Sequence, residues 1–200
     1  MQTNGPNWPA AGEIDIVEGV NDQPSNQMTL HSGTSNACTL TQAANSTLDT
    51  FTGDVLGTDC YSTATADAGC GISDTNPTSF GYGFNNAEGG VYALLWDPTA
   101  GMSIYHFARA DIPADITNQT PMPANWGTPA GMWSSQTCDI AANFYQHSLI
   151  IDTTICGGWA EGAYGSSGCP GTCSDMVANA TNFVGELVYL FFVVLFAQVA

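Results

Sequence analysis

The sequence predicts an all-β sandwich, and three observations predict it. Only 10% of the 200 residues are charged, while 22 are Gly and 10 are Pro, a balance that suits short strands joined by many turns. Strand-like runs bounded by turn residues recur along the chain. Long polar connections separate them, as in stacked sheets. The length fits a single domain with a substantial core.

The elements follow in order. Residues 13–20 and 27–31 read as the first two strands, and residues 91–96, 102–107 and 144–152 as three more; none of the five reads as a helix. Residues 73–86 and 111–131 read as loops, the second holding Pro113, Pro121, Pro123 and Pro129. There is no internal repeat. The stretch holding Cys38, Cys60 and Cys70 reads as a stapled excursion from the domain. Cys169 and Cys173 have a metal-type spacing, but no second Cys or His pair completes a tetrahedral site, so they read as disulfide cysteines.

Charge narrows the partners. Arg109 is the one basic residue against 18 acidic ones, a formal net charge of −17. Nucleic acid is excluded, because phosphate contacts need Lys or Arg clusters, and an anionic membrane surface would repel the chain. An uncharged, hydroxyl-rich substrate stays compatible. Seven cysteines with almost no Lys or Arg point to a secreted protein. The odd count leaves one cysteine over, and about 105 pairings stay open. The sequons at Asn45, Asn118 and Asn179 agree with a secretory route. Residues 1–6 lack the charged and apolar regions of a signal peptide. Residues 187–197 are almost wholly apolar, yet shorter than the roughly 20 residues of a spanning helix. The reading is a gene-model artefact, ahead of a membrane segment or a buried strand.

The informative segment is Gly12-Glu13-Ile14-Asp15-Ile16-Val17-Glu18-Gly19. In a regular strand Glu13 and Asp15 share one face, and Glu18 falls among Ile14 and Ile16 on the other. An unpaired carboxylate buried there costs several kcal/mol or a large pKa shift. A β-bulge near Ile16-Val17 removes the conflict by turning all three carboxyls to one face. Three carboxyls at close quarters cannot all ionise cheaply, so one keeps a proton. Glycoside hydrolysis needs that division: an ionised carboxylate to attack and a protonated one to release the leaving oxygen. A solvated acidic strand edge would show the same residues, and Trp8 tips the balance, since its flat face suits a sugar ring. A Trp packed in the core is the competing reading.

These residues reach a family pattern. NGPNWPAAGEIDIVEGVND, followed by Gln27-Met28-Thr29-Leu30-His31, closely resembles glycoside hydrolase family 16, in particular its fungal laminarinase-like endo-1,3(4)-β-glucanases. Further matches are Gly89-Gly90-Val91-Tyr92-Ala93 leading to Trp96, Arg109-Ala110-Asp111-Ile112-Pro113-Ala114-Asp115-Ile116, Trp126-Gly127-Thr128-Pro129, Cys138-Asp139-Ile140 and Cys156-Gly157-Gly158-Trp159-Ala160. The resemblance implies a concanavalin-like β-jelly-roll of two curved antiparallel sheets whose concave face forms the cleft. It implies Glu13 as nucleophile, Glu18 as general acid/base and Asp15 as the carboxylate assisting the nucleophile. It places Trp8 in the glucan cleft and His31 beside the catalytic strand, in contact with substrate or carboxylates. Trp96, Trp133 and Trp159 stack on sugar or fill the core, with core favoured for Trp96. His106 and His147 read as structural.

The family pattern extends beyond this chain at both ends, so the expectation is a partial catalytic domain over residues 1–182 and an atypical hydrophobic tail over 183–200. No cofactor or metal is expected. The partner is β-glucan, without nucleic acid or membrane, the protein is a monomer, and its place is outside the cell or in the cell wall. The leading reading is a retaining endo-β-glucanase of the 1,3 or mixed 1,3/1,4 class. A transglycosylase of the same family and a non-catalytic β-glucan-binding or cell-surface protein are the alternatives.

Overall fold

A computed structural model of the protein describes residues 2–3, 8–33, 38–41 and 50–184. In chain order its elements are β1 (Gln2–Thr3), β2 (Glu13–Glu18), β3 (Gln27–His31), β4 (Asp54–Val55), β5 (Cys70–Ser73), α1 (Gly81–Asn86), β6 (Gly90–Asp97), β7 (Gly101–Ala108), α2 (Ala114–Thr117), β8 (Gly131–Ser134), α3 (Ile140–Asn143), β9 (His147–Ser148), α4 (Gly157–Tyr164) and α5 (Cys173–Ala178). One sheet has the order β4-β5-β3-β2-β1-β9 and the other β6-β7-β8. Among the described residues these strands all pair antiparallel.

Alternation along the strands builds the layers. Ile14, Ile16, Met28, Leu30 and Ile72 of the first sheet meet Tyr92, Leu94, Met102, Ile104 and Trp133 of the second in one core. Each such side chain contributes roughly 1.5–3 kcal/mol on burial. The intervening residues of β6 and β7 face the other way: Val91, Ala93 and Tyr105 pack with Ile116 and Trp126 in a second cluster. That cluster holds the segment after β7 against the sheet. Within it Asp115 Oδ2 accepts from Trp126 Nε1 at 2.8 Å and from the Met122 N–H at 2.6 Å.

Three expectations change. Only His147–Ser148 of residues 144–152 pairs in a ladder. Leu149, Ile150 and Ile151 stay 46–64% exposed, because β-branched content favours a strand but a ladder needs a neighbour. The expected loop 73–86 contains α1, whose sequence GYGFNN has poor helix propensity. Tertiary packing overrides that propensity: Phe84 is buried and its ring stacks on Tyr92 at 5.3 Å. The loop 111–131 likewise holds α2.

The disulfides are Cys38–Cys138, Cys60–Cys70 and Cys156–Cys173. Cys169 is the free thiol, so the spacing of Cys169 and Cys173 marks neither a metal site nor a shared bridge. Cys38–Cys138 ties the excursion to the segment before α3, and Cys60–Cys70 closes it onto β5. Among the described residues no helix is long and apolar enough to cross a membrane. The apolar run at 187–197, residues 4–7 and Asn45 lie outside the described residues; Asn118 and Asn179 are exposed.

Candidate active site

The register of β2 against β3 sets the site. Glu13 lies opposite His31, Ile14 opposite Leu30 and Asp15 opposite Thr29; the register then slips, so that Glu18 lies opposite Gln27. Ile16 and Val17 together face Met28 alone, the two-against-one arrangement of a β-bulge. Residues directly opposite in an antiparallel pair share a face. Glu13, Asp15 and Glu18 therefore line one polar face with His31, Thr29 and Gln27. Ile14 and Ile16 turn inward, at 0% and 7% exposure. The conflict that a regular strand would create is absent.

Asn26, fully buried just before β3, fills the bulge. Its Oδ1 accepts from the Glu18 N–H at 3.0 Å, and its Nδ2 donates to the Ile16 carbonyl at 2.9 Å. At the other end of β2, Gly12 holds φ at +77°, and a Cβ there would run into the Asn143 carbonyl and the Phe144 ring. The Gly12 N–H donates to the Pro9 carbonyl at 2.8 Å, closing the turn that carries Trp8.

Trp8 is 40% exposed, and its Nε1 donates to Glu13 Oε2 at 2.5 Å. Its ring centroid lies 6.1 Å from that of His31. Trp8 is thus a hydrogen-bond partner of Glu13 as well as an aromatic wall. His31 Nε2 lies 3.1 Å from Asp15 Oδ2, and its Nδ1 lies 3.3 Å from the Ser62 hydroxyl. Ser62 is fully buried in the stapled excursion, which thereby reaches the site. Gly69, at φ +63°, lets that excursion approach: a Cβ there would stand 2.8 Å from His31 Nδ1.

Charge divides the carboxyls. Burial, then the Asp15 charge and the weaker Glu13 charge, push Glu18 up to about 7, with His31 opposing them. Burial alone would lower the pKa of His31, but the Asp15 hydrogen bond and the charges of Asp15, Glu13 and Glu18 outweigh it and raise it. Glu13, Asp15 and His31 each place a donor atom within 4.8 Å of the others, so this trio could also hold a cation.

The other predicted residues divide. Trp133 is fully buried and its Nε1 donates to the Cys70 carbonyl at 3.2 Å, while Trp96 is half-buried against the core. Trp159 sits 43% exposed on α4. His147 Nε2 lies 2.9 Å from the Ala11 carbonyl, at the turn before β2. His106 is buried with Asp74, its Nδ1 3.7 Å from Asp74 Oδ2. Burial holds His106 down to about 4 and raises Asp74 above the ordinary carboxylate value. Sequence reasoning did not single out Asn26, Ser62, Thr29 or Gln27. Each is a common polar residue whose role depends on a strand partner distant in sequence.

Known proteins resemble this chain in sequence and in fold. The sequence profile of the family described as "XgeA-like, catalytic GH16 domain" matches residues 1–190. A probable glycosidase of Schizosaccharomyces pombe is 41% identical over 180 residues, covering 88% of this chain and 41% of that protein. The endo-1,3(4)-β-glucanase xgeA of Emericella nidulans is 38% identical over 185 residues, 92% of this chain and 28% of that protein. Among solved structures, GH16 Laminarinase 16A from Phanerochaete chrysosporium, holding 6-O-glucosyl-laminaritriose in donor and acceptor sites, superposes with a TM-score of 0.80 at 35% identity. The match covers 90% of this chain and 60% of that one. An elongating GH16 β-1,3-glucosyltransferase superposes with a TM-score of 0.79 at 37% identity, covering 92% and 61%. The chain thus spans less than two thirds of these relatives. The antiparallel sandwich is the jelly roll of those laminarinases. The bulged carboxylate strand and the match across residues 1–190 lead to one conclusion: the chain belongs to glycoside hydrolase family 16.

Proposed function

We propose that this chain carries the active site of an extracellular retaining endo-β-glucanase acting on 1,3- or mixed 1,3/1,4-linked β-glucan. One observation carries the reading: Glu18 keeps its proton up to about pH 7 on the same strand face as two further carboxyls. Glu13, held by the Trp8 indole, attacks the anomeric carbon. Glu18 gives its proton to the departing glycosidic oxygen, leaving a glycosyl ester on Glu13. Glu18, now ionised, takes a proton from water as the water oxygen attacks the anomeric carbon and the Glu13 carboxylate leaves. The sugar leaves with its configuration retained and Glu13 is freed. Asp15, paired with His31, fixes the field in which both glutamates work. A neutral polysaccharide suits a chain of net charge −17 better than any polyanion. Three disulfides suit an oxidising compartment.

The test is reducing-sugar release from laminarin and lichenan, run beside circular dichroism of the same sample. Turnover that vanishes in Glu13→Ala supports the reading. A folded protein that binds glucan equally well before and after Glu13 and Glu18 substitution, with no turnover, replaces it with a binding protein. The glucosyltransferase relative favours a second reading, in which a sugar hydroxyl takes the place of water at the glycosyl ester. Products longer than the starting oligosaccharide distinguish it.

A further inference from the structure

We propose that Asn26 is a positioning residue: its carboxamide, locked in the core, sets the aim of Glu18 by closing the bulge in β2. The inference rests on the proposed acid/base role of Glu18 and extends it to a residue that substrate cannot touch, since Asn26 is fully buried.

A bulge sets two residues against one, so the ladder cannot pair all their backbone groups. The Glu18 N–H and the Ile16 carbonyl bracket this bulge, and one side chain binds both, at 3.0 and 2.9 Å. A carboxamide offers an acceptor and a donor side by side at its tip at every pH. An ionised Asp lacks the donor, and Gln adds a methylene that a close-packed core must absorb.

Asn26 is itself fixed at every polar atom. Its N–H donates to the Ser79 hydroxyl at 3.0 Å, and its carbonyl accepts from the Asp74 N–H at 2.9 Å. Ser79 is also fully buried, and its own carbonyl accepts from the Tyr92 hydroxyl on β6. The chain of bonds runs from the second sheet through Ser79 and Asn26 to the backbone nitrogen of Glu18. The N–H bond direction and the Glu18 Cα are covalently linked, so holding one orients the other. A Glu18 freed from this clamp is misaimed at the leaving oxygen, while Glu13, five residues away and held by Trp8, keeps its place.

The experiment compares two leaving groups in Asn26→Ser and Glu18→Gln. Laminarin needs a proton on its departing oxygen; a 2,4-dinitrophenyl laminaribioside does not. Asn26→Ser should lose about 10²-fold in kcat/KM on laminarin, with the loss in kcat rather than KM, and stay within about threefold on the aryl substrate. Glu18→Gln should show the same selectivity. Equal losses on both substrates in Asn26→Ser, or no loss, overturn the positioning role while leaving the reading of Glu18 intact if Glu18→Gln stays selective. An unselective Glu18→Gln overturns the acid/base reading and this inference together. Should Asn26→Ser not fold, Asn26→Ala, which removes both donor and acceptor, gives the same comparison. Amide exchange in the unsubstituted protein needs no turnover: the Glu18 N–H should be protected as strongly as that of Leu30, and fast exchange overturns the clamp.

Discussion

Replacing Glu18 by Gln tests the electrostatics of the site through stability alone. Burial first, and then the Asp15 and Glu13 charges, raise Glu18 from 4.5 to about 7. The folded state therefore binds this proton more tightly than the unfolded chain. Its contribution to stability is full below the unfolded value of 4.5 and is lost as pH rises through about 7. Above that range Glu18 is ionised in both states, and the folded protein bears a cost of roughly 3 kcal/mol, at about 1.4 kcal/mol per pKa unit. Gln keeps the shape without the charge. The unfolding free energy of Glu18→Gln should match the parent near about pH 4, rise above it across the interval, and level off roughly 3 kcal/mol higher near about pH 8. Urea unfolding followed by circular dichroism, with unchanged denaturant slopes, reads this difference. A difference that does not vary with pH refutes the argument. A Glu18→Gln protein less stable than its parent at the higher pH refutes it in the other direction, by showing the carboxylate to be stabilised where it sits.

Three further outcomes follow from the same geometry. His31→Ala removes the charge that holds the Glu18 pKa down, so the alkaline limb of the kcat/KM profile should move up; a fixed or lowered limb contradicts the coupling. Trp8→Phe keeps an aromatic wall but loses the indole donor to Glu13, and kcat should fall about tenfold with little change in KM. A rise in KM at constant kcat would make Trp8 a stacking residue only. Cys38 and Cys138 lie 100 residues apart, so replacing both with Ala should cost roughly 4–5 kcal/mol in guanidinium unfolding, and a cost under about 1 kcal/mol refutes the loop-closure account.

The carboxylate strand was legible because its letters conflict with the period of a strand. Glu18 after Ile14 and Ile16 demands a register change, and the slip lies between Asp15 and Glu18. The β6 and β7 ladder was legible for the opposite reason, since its alternating residues satisfy both faces and nothing competes. The short β5 and β8 were not legible: CGIS and GMWS hold no periodic signal and become strands only through neighbours contributed by β3 and β7. Asn26 stayed hidden because a turn-forming Asn beside Ser25 looks like a loop residue, and only the fold reveals that its carboxamide is buried. The family motifs around Asp115 and Trp126 were visible, yet their work is to pin a loop to the second sheet, away from the carboxylates.

The scarcity of cations has a consequence at the site. With exposed charges screened beyond about 8 Å at physiological salt, the protein's large net charge does not reach Glu18; its neighbours do. Arg109 is the sole Lys or Arg, and its Nε donates to the Glu88 carbonyl. No Lys or Arg therefore draws Glu18 down, and burial with two carboxylate neighbours prevails. His31 is the strongest charge that opposes them, and its charge is itself sustained by Asp15, Glu13 and Glu18. As pH rises and His31 loses its proton, the restraint on Glu18 weakens, so Glu18 holds its own proton longer than it would beside a fixed Arg. An engineered Arg in place of His31 would remove that coupling, depress Glu18 at every pH and shift the pH optimum of turnover downward.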